Sequence, residues 1–379
     1  MARPSKDDPD GKALLDLLDK FVCVRMVYAN GTDLSLFHFD HDLTFAAFIL
    51  NADRKIYGRY GSLPDPRSGL SGVSQRGFSA ALRGALELHA GYPDNAASFS
   101  GKRGPKSPVA VPEDFDTLSA YREDLEWSSR NVARSCMHCH QIGTAWLDYH
   151  RRRKEALPEN VLFPWPMPNV VGLQLDVDHS ARVQRVDTDS AAARAGLQKG
   201  DDIVELEGQA ILSIADVQWV LHNVQAATRL RGALLRNGER VAFTLEVDAH
   251  FRRPKKGLPF RWTDRHLSLG RVSGLGLATT LRDLTDEERA ERGLDRRGLA
   301  LVAAAPGRGG GPGGRRGGGA RAGLALQEGD IIVALGGIDR RMSESDVVAF
   351  CLQEQARAAT IEVTLLRGGE RVEVEARLR

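Results

Sequence analysis

The stretch Ala193-Arg194-Ala195-Gly196-Leu197-Gln198-Lys199-Gly200-Asp201-Asp202-Ile203-Val204 occurs twice in this chain. Its second copy runs Ala320-Arg321-Ala322-Gly323-Leu324, two inserted residues, then Gln327-Glu328-Gly329-Asp330-Ile331-Ile332-Val333. A further block, Leu234-Leu235-Arg236-Asn237-Gly238-Glu239-Arg240-Val241, returns as Leu365-Leu366-Arg367-Gly368-Gly369-Glu370-Arg371-Val372. Two blocks repeated in the same order indicate two copies of one folding unit. Each copy reads as the end of a short helix, a Gly-Asp turn, an apolar strand, a helix of about ten residues and a closing hairpin.

Working outward, three composition shifts mark expected boundaries. Gly101 to Pro108 is a Gly/Pro/basic stretch that reads as a linker, and alternating prolines from Leu162 to Pro168 hold the chain extended before the first copy. The run from Pro306 to Gly319 lacks core-forming side chains and reads as a loop inside the second copy. The expected domains are 11–100, 101–164 with the cysteine motif described below, 165–250, and 265–379 carrying the 306–319 insertion.

Over the whole chain of 379 residues, 52 Lys and Arg face 50 Asp and Glu, a net charge of +2, and 42% of residues are apolar. Such balance excludes a basic nucleic-acid coat and an acidic disordered tail. The basic clusters Arg151 to Lys154, Arg252-Arg253 and Lys255-Lys256 alternate with no aromatic platform and read as solvated faces, so no nucleic-acid partner is expected. No run reaches the roughly 18 apolar residues of a membrane-spanning helix. The first ten residues lack the apolar core of a secretory signal. Four cysteines cannot build a disulfide scaffold in a chain of this length.

The repeated pattern resembles the PDZ domain of the kind found beside exported bacterial proteases, over about 165–248 and 268–379. The resemblance implies a peptide-binding site between a Gly-hydrophobic loop and the helix. The matching loops are Val171-Gly172-Leu173-Gln174 and Leu275-Gly276-Leu277-Ala278. Consecutive N–H groups in such a loop can hold a terminal carboxylate while the peptide adds as a strand, which implies peptide or protein C-termini as partners. Helix Ile214 to His222 would line the first groove through Val217, Val220 and Leu221, or those residues would simply close the small barrel. Asp346 to Cys351 takes the same place in the second copy, with Cys351 read as helix core. Neither Gly-x-Ser-x-Gly nor His-Glu-x-x-His occurs, and peptidase activity is not expected.

Residues 11 to 92 read as a helix with Leu14, Leu15, Leu17 and Leu18, a strand Phe21 to Val27 with Cys23 buried in it, a doubly buried strand Leu43 to Leu50, a turn at Asn51 to Arg54, a strand Lys55 to Tyr60 and a helix from Phe78 to His89. This order resembles the second half of a thioredoxin-like domain. It departs from that family in lacking the opening strand with its Cys-x-x-Cys, and in placing Asp42-Leu43-Thr44 where a cis proline is usual. The expected fold class is therefore multidomain α+β: a partial thioredoxin-like α/β domain, a short helical segment and two PDZ-like β-barrel domains.

One motif carries chemistry. Cys136-Met137-His138-Cys139-His140 has the spacing of c-type haem attachment, in which two thiols bind the macrocycle and the histidine ligates iron. Met167, between prolines, resembles a sixth-ligand segment, and His138 or His150 are other candidates. Two readings stand beside haem c. One is a dithiol tuned by His138 that exchanges electrons with a redox partner, and the other is Zn²⁺ held by Cys136, Cys139 and one or two of His138, His140 and His150. Haem is attached outside the cytoplasm, so that reading expects an extracytoplasmic protein with a signal peptide upstream of Met1. As a whole the chain resembles multidomain thioredoxin-like/PDZ proteins of environmental bacteria, and the working expectation is a redox-linked adaptor that binds peptides or proteins. The alternative is a non-catalytic interaction protein whose cysteine motif holds a structural metal.

Overall fold

The computed structural model describes residues 4–5, 7–43, 45–61, 73–119, 137–253, 280–304 and 326–378. These residues form a mixed α+β architecture in two compact units. The described part of the first unit comes from 4–145 and 163–252, and that of the second from 146–162, 253 and 280–378. Residues 11–100 and 165–250 both lie in the first unit.

In the first unit, the first repeat is built on a four-stranded antiparallel sheet. Its spatial order is Gln209–Ala210, Asp202–Leu206, Thr228–Arg236, Glu239–Val247. Thr228–Arg236 alternates outward arginines with buried Leu230 and Leu234, as a sheet with one wet face requires. A two-stranded sheet, Leu173–Leu175 against Val183–Val186, closes the barrel. Helix Ile214–Asn223 packs into it, capped by Ser213, whose hydroxyl accepts from the Ala215 N–H. The core joins Leu173, Val183, Ile203, Leu230 and Leu245 to Val217, Trp219, Val220 and Leu221 of the helix.

The N-terminal part of this unit contains helix Pro9–Leu18, an antiparallel hairpin of Ala47–Leu50 with Ile56–Tyr60, and helix Gln75–Ala90. Leu14, Ile49, Tyr57, Phe78, Ala81 and Leu82 form its core, which Leu212 of the first repeat also enters. Three expectations are corrected here. Phe21 to Val27 belongs to no strand, with Val22 95% and Val24 82% exposed, because among the described residues no neighbouring strand offers backbone partners for its β-branched residues. Cys23 is consequently exposed, with its Sγ 3.7 Å from the Leu18 carbonyl. Only Ala47–Leu50 of the 43–50 run pairs, and it lies in a two-stranded hairpin rather than at the centre of a sheet.

The second unit contains a five-stranded antiparallel sheet ordered Glu370–Arg377, Thr360–Arg367, Ile331–Leu335, Leu301–Ala304, Thr280–Asp283. Helix Glu344–Ala349 continues as a π-type turn over Phe350–Glu354, and Cys351 is buried in the core as expected. The two copies agree in detail. Asp202 to Leu206 pairs with Gly232 to Leu235 with a register shift between Ile203 and Glu205, and Ile331 to Leu335 pairs with Val363 to Leu366 with its shift between Ile332 and Ala334. Arg236 donates two hydrogen bonds of 2.8 Å to the Asp201 carboxylate, and Arg367 donates two of 2.9 and 2.7 Å to that of Asp330. Each aspartate also accepts the N–H of the glutamine three residues earlier, at 2.8 Å. The repeated Gly-Asp and Leu-Leu-Arg blocks are therefore two halves of one buried bidentate ion pair that fixes the turn.

Candidate peptide-binding site

Pro168–Val171 forms a single 3₁₀ turn that ends at Gly172, whose φ is +83°. A β-carbon on Gly172 would stand 2.1 Å from Cβ of Ser190, so a side chain is excluded there by both the left-handed backbone and the close approach. The Gly172 N–H turns back to the Asn169 carbonyl at 2.9 Å, and the Gly172 carbonyl accepts from the Asp187 N–H at 2.9 Å. Leu173 and Leu175 point into the core, and Gln174 is half-buried between them. Of the predicted loop, Val171 and Leu173 are buried in the core, and both backbone groups of Gly172 are hydrogen-bonded within the chain. Leu275, Gly276 and Leu277, the counterparts in the second copy, lie outside the described residues.

Val217, Val220 and Leu221 are 2%, 4% and 0% exposed and belong to the barrel core, which is the packing role that the sequence left open. The opposite face of the same helix bears Asp216, Gln218 and His222, with Trp219 bridging it to the barrel core, and it is buried as well. It meets residues that the sequence reading had assigned elsewhere. Lys102, placed in the supposed linker, is fully buried and pairs with Asp216 at 2.8 Å. Arg59 donates its backbone N–H to Asp216 at 3.2 Å and lays its guanidinium 3.8 Å from the Trp219 ring centroid. Trp219 Nε1 donates to the Gly101 carbonyl at 2.9 Å, and Gln218 donates to the Trp165 carbonyl and to Met167 Sδ, at 3.1 and 3.3 Å. The available signal was the helix itself: Asp216, Trp219 and His222, spaced by three, form a polar-aromatic stripe opposite the apolar one.

Burial sets the ionisation of this cluster. Desolvation, aided by the nearby Arg59 charge, lowers His38 to about 4, and desolvation with the neighbouring His38 lowers His41 to about 3. Desolvation lowers Arg59 to about 9 against the pull of Asp216, and it also lowers Lys102. His38 contacts Trp165, Trp219 and His222 edge-on, at 5.7, 5.5 and 5.1 Å between centroids.

At the cysteine motif, Cys136 lies outside the described residues. Met137 is fully buried, its N–H donating to Asn30 Oδ1 at 2.9 Å and its carbonyl accepting from the Ala29 N–H at 2.8 Å. Helix Cys139–Arg152 starts within the motif, and the His138 and His140 rings stack at 5.6 Å. The Cys139 thiol is half-buried and faces the Leu43 carbonyl at 3.9 Å; burial raises its pKa, and the Asp42 and Asp40 charges add to the rise. That environment keeps the thiol protonated, the reverse of a primed thiolate. Met167 Sδ is engaged by Gln218, and His150 pairs with Glu155 at 3.2 Å. Among the described residues no three of His, Cys, Asp and Glu group to hold a metal.

Comparison with known proteins assigns the first repeat, since residues 169–247 match the PDZ domain family. The chain contains a PDZ domain. It is similar to a probable periplasmic serine endoprotease DegP-like of Pseudomonas savastanoi pv. phaseolicola, 29% identical over 168 residues that cover 42% of this chain and 30% of that protein. The protein of the same description from Halomonas elongata is 26% identical over 210 residues, 54% of this chain and 38% of that one. The chain therefore spans well under half the length of these curated bacterial relatives. Among solved structures, the serine endoprotease of Yersinia pestis is 27% identical, with a TM-score of 0.19, over 21% of this chain and 29% of that one. The PDZ match begins after the hairpin and the Lys102 segment, so the residues that bury the outer face of Ile214–Asn223 are additions to the matched domain. Among the described residues no helix is long and apolar enough to cross a membrane.

Proposed function

We propose that this chain binds the carboxyl-terminal ends of peptides or partner proteins through its PDZ domain. The observation that carries the reading is the Gly172 turn, with φ +83°, at the head of strand Leu173–Leu175 inside the matched residues 169–247. A peptide adding along this strand would gain main-chain hydrogen bonds, and its carboxylate would sit over the turn. We further propose that 280–378 forms a second domain of the same kind. The shared register shift and the Asp201–Arg236 and Asp330–Arg367 pairs support this. An extracytoplasmic home is supported by the periplasmic description of the relatives. The test is fluorescence anisotropy with a decapeptide pool carrying Val, Leu, Ile or Phe at its last three positions. Binding should be lost when the peptides are C-terminally amidated, and also in a folded Gly172→Val variant.

A second reading concerns the cysteine motif, and Cys136-Met137-His138-Cys139-His140 at the start of a helix favours it. Cys136 and Cys139 would attach haem c and His140 would hold its iron, and the group would supply one-electron chemistry. Met167 Sδ accepts from Gln218 at 3.3 Å, a contact it would have to give up to hold the iron. Zinc or a dithiol at the same residues are the other outcomes, and intact mass with metal analysis separates all three.

A further inference from the structure

The two repeats differ at the first residue of the helix that follows the Gly-Asp strand. Ser213 caps one helix and Ser343 the other, so Ile214 and Glu344 hold the same position. Both are 8% exposed, and the exchange is therefore one of chemistry at a fixed, buried place. Ile214 joins the core of the first repeat, whereas a carboxylate in that position needs a donor. Glu344 finds one in strand Thr280–Asp283, where its carboxylate accepts the backbone N–H of Leu281 at 3.3 Å.

That N–H points out of the sheet. Thr280–Asp283 is an edge strand, and Leu281 stands opposite Ala303. Ala303 donates its N–H to the Asp330 carbonyl at 2.8 Å, and its own carbonyl accepts from the Gly329 N–H at 2.9 Å. Its backbone groups thus face away from Leu281, and in such a non-hydrogen-bonded antiparallel pair those of Leu281 face the outer edge. They are the groups that a further strand would use. The first repeat has the same geometry. Val183 donates to the Asp201 carbonyl and accepts from the Gly200 N–H, both at 2.8 Å, and stands opposite Leu175. Leu175 and Leu281 are therefore equivalent, and both side chains are buried. The helix position that closes on Leu281 is filled in the first repeat by Ile214, which has no acceptor to offer.

We propose that Glu344 decides which repeat accepts a peptide strand. In the second repeat its carboxylate takes the main-chain place that an incoming peptide carbonyl would fill at Leu281, so strand addition is confined to Leu173–Leu175 of the first. A peptide that displaced Glu344 would leave a buried carboxylate short of a donor, a loss that the peptide's own main-chain pairing does not restore. The proposal rests on the reading of 280–378 as a second domain of the peptide-binding kind.

The test uses the full chain and the free-carboxyl decapeptide pool, reading the peptide bound per chain at saturation and the hydrogen exchange of amides 173–175 and 280–283. Wild type should bind one peptide and gain protection at 173–175 alone. Glu344→Ile, which copies the first repeat, should bind two and gain protection at 280–283 as well. Glu344→Ala, which only removes the acceptor, should do the same and guards against misfolding of the bulkier variant. Glu344→Gln keeps an acceptor and should stay at one. Unchanged exchange of Ile331–Leu335 without peptide shows that each variant is folded. In a Gly172→Val background, Glu344→Ala should restore the binding of one peptide where Glu344 allows none. Protection of 280–283 by peptide in wild type, or a second peptide on Glu344→Gln, overturns the role of Glu344. No protection of 280–283 in any variant overturns instead the reading of 280–378 as a peptide-binding domain.

Discussion

Lowering the pH should loosen the Ile214–Asn223 helix through two buried histidines. His38 and His41 are neutral in the fold, with values of about 4 and about 3 against an ordinary 6.5, chiefly because burial penalises the imidazolium. The unfolded or locally opened state therefore binds protons that the native state refuses. The stability these neutral groups confer is complete above about pH 6.5 and is lost as pH falls toward the depressed values. Between pH 7.5 and 5.5 each histidine loses about 1.4 kcal/mol, so the pair loses about 3 kcal/mol. Carboxylates held low by arginine, such as Asp201, remain ionised over this interval and contribute little to the change. Native-state hydrogen exchange of amides 214–223 is the assay, with rates corrected for intrinsic chemistry. A loss of about 3 kcal/mol corresponds to roughly 100-fold faster opening. His38→Asn with His41→Asn should flatten the response. Equal protection at the two pH values in wild type would refute the reasoning, because a buried neutral histidine must show this linkage.

Three further outcomes follow from single contacts. Arg236→Leu and Arg367→Leu should each destabilise their own repeat by about 2 kcal/mol, because each leaves an aspartate with 2% side-chain exposure without its bidentate partner, as read from exchange of the adjoining strands. Thiol labelling at pH 8 should modify exposed Cys23 within the first phase, Cys139 more slowly and Cys351 only on unfolding, since burial pushes the last up to about 12. Expression with an exported leader in a host that matures c-type cytochromes should give a haem adduct in the intact mass that Cys136→Ser removes; a colourless chain of unmodified mass moves the motif to zinc or a free dithiol.

The repeat was legible because its signals are local and covalently spaced. A Gly with positive φ, an aspartate after it and an arginine at the end of a later strand leave the same trace in both copies, and the structure joins them through Asp201–Arg236 and Asp330–Arg367. The helix positions were legible too, but which face of Ile214–Asn223 serves the barrel depends on what lies across it. Lys102 shows why: in a Gly/Pro/basic stretch it reads as solvated, and only the Asp216 carboxylate, far along the chain, makes its burial tolerable. Phe21 to Val27 fails in the opposite direction. Its β-branched residues carry strand propensity, but a strand needs a neighbour, and Val22 and Val24 have none among the described residues.

Carboxyl-terminal recognition by the PDZ domain is the claim on which the rest depends, and one titration tests it. The full chain, with and without Gly172→Val, is titrated into the fluorescent decapeptide pool bearing either a free or an amidated C-terminus. Carboxyl-terminal recognition predicts saturable binding of the free-carboxyl pool by the wild type and loss of that binding on amidation and in the variant. Equal binding of free and amidated peptides, or none by either protein, would contradict it.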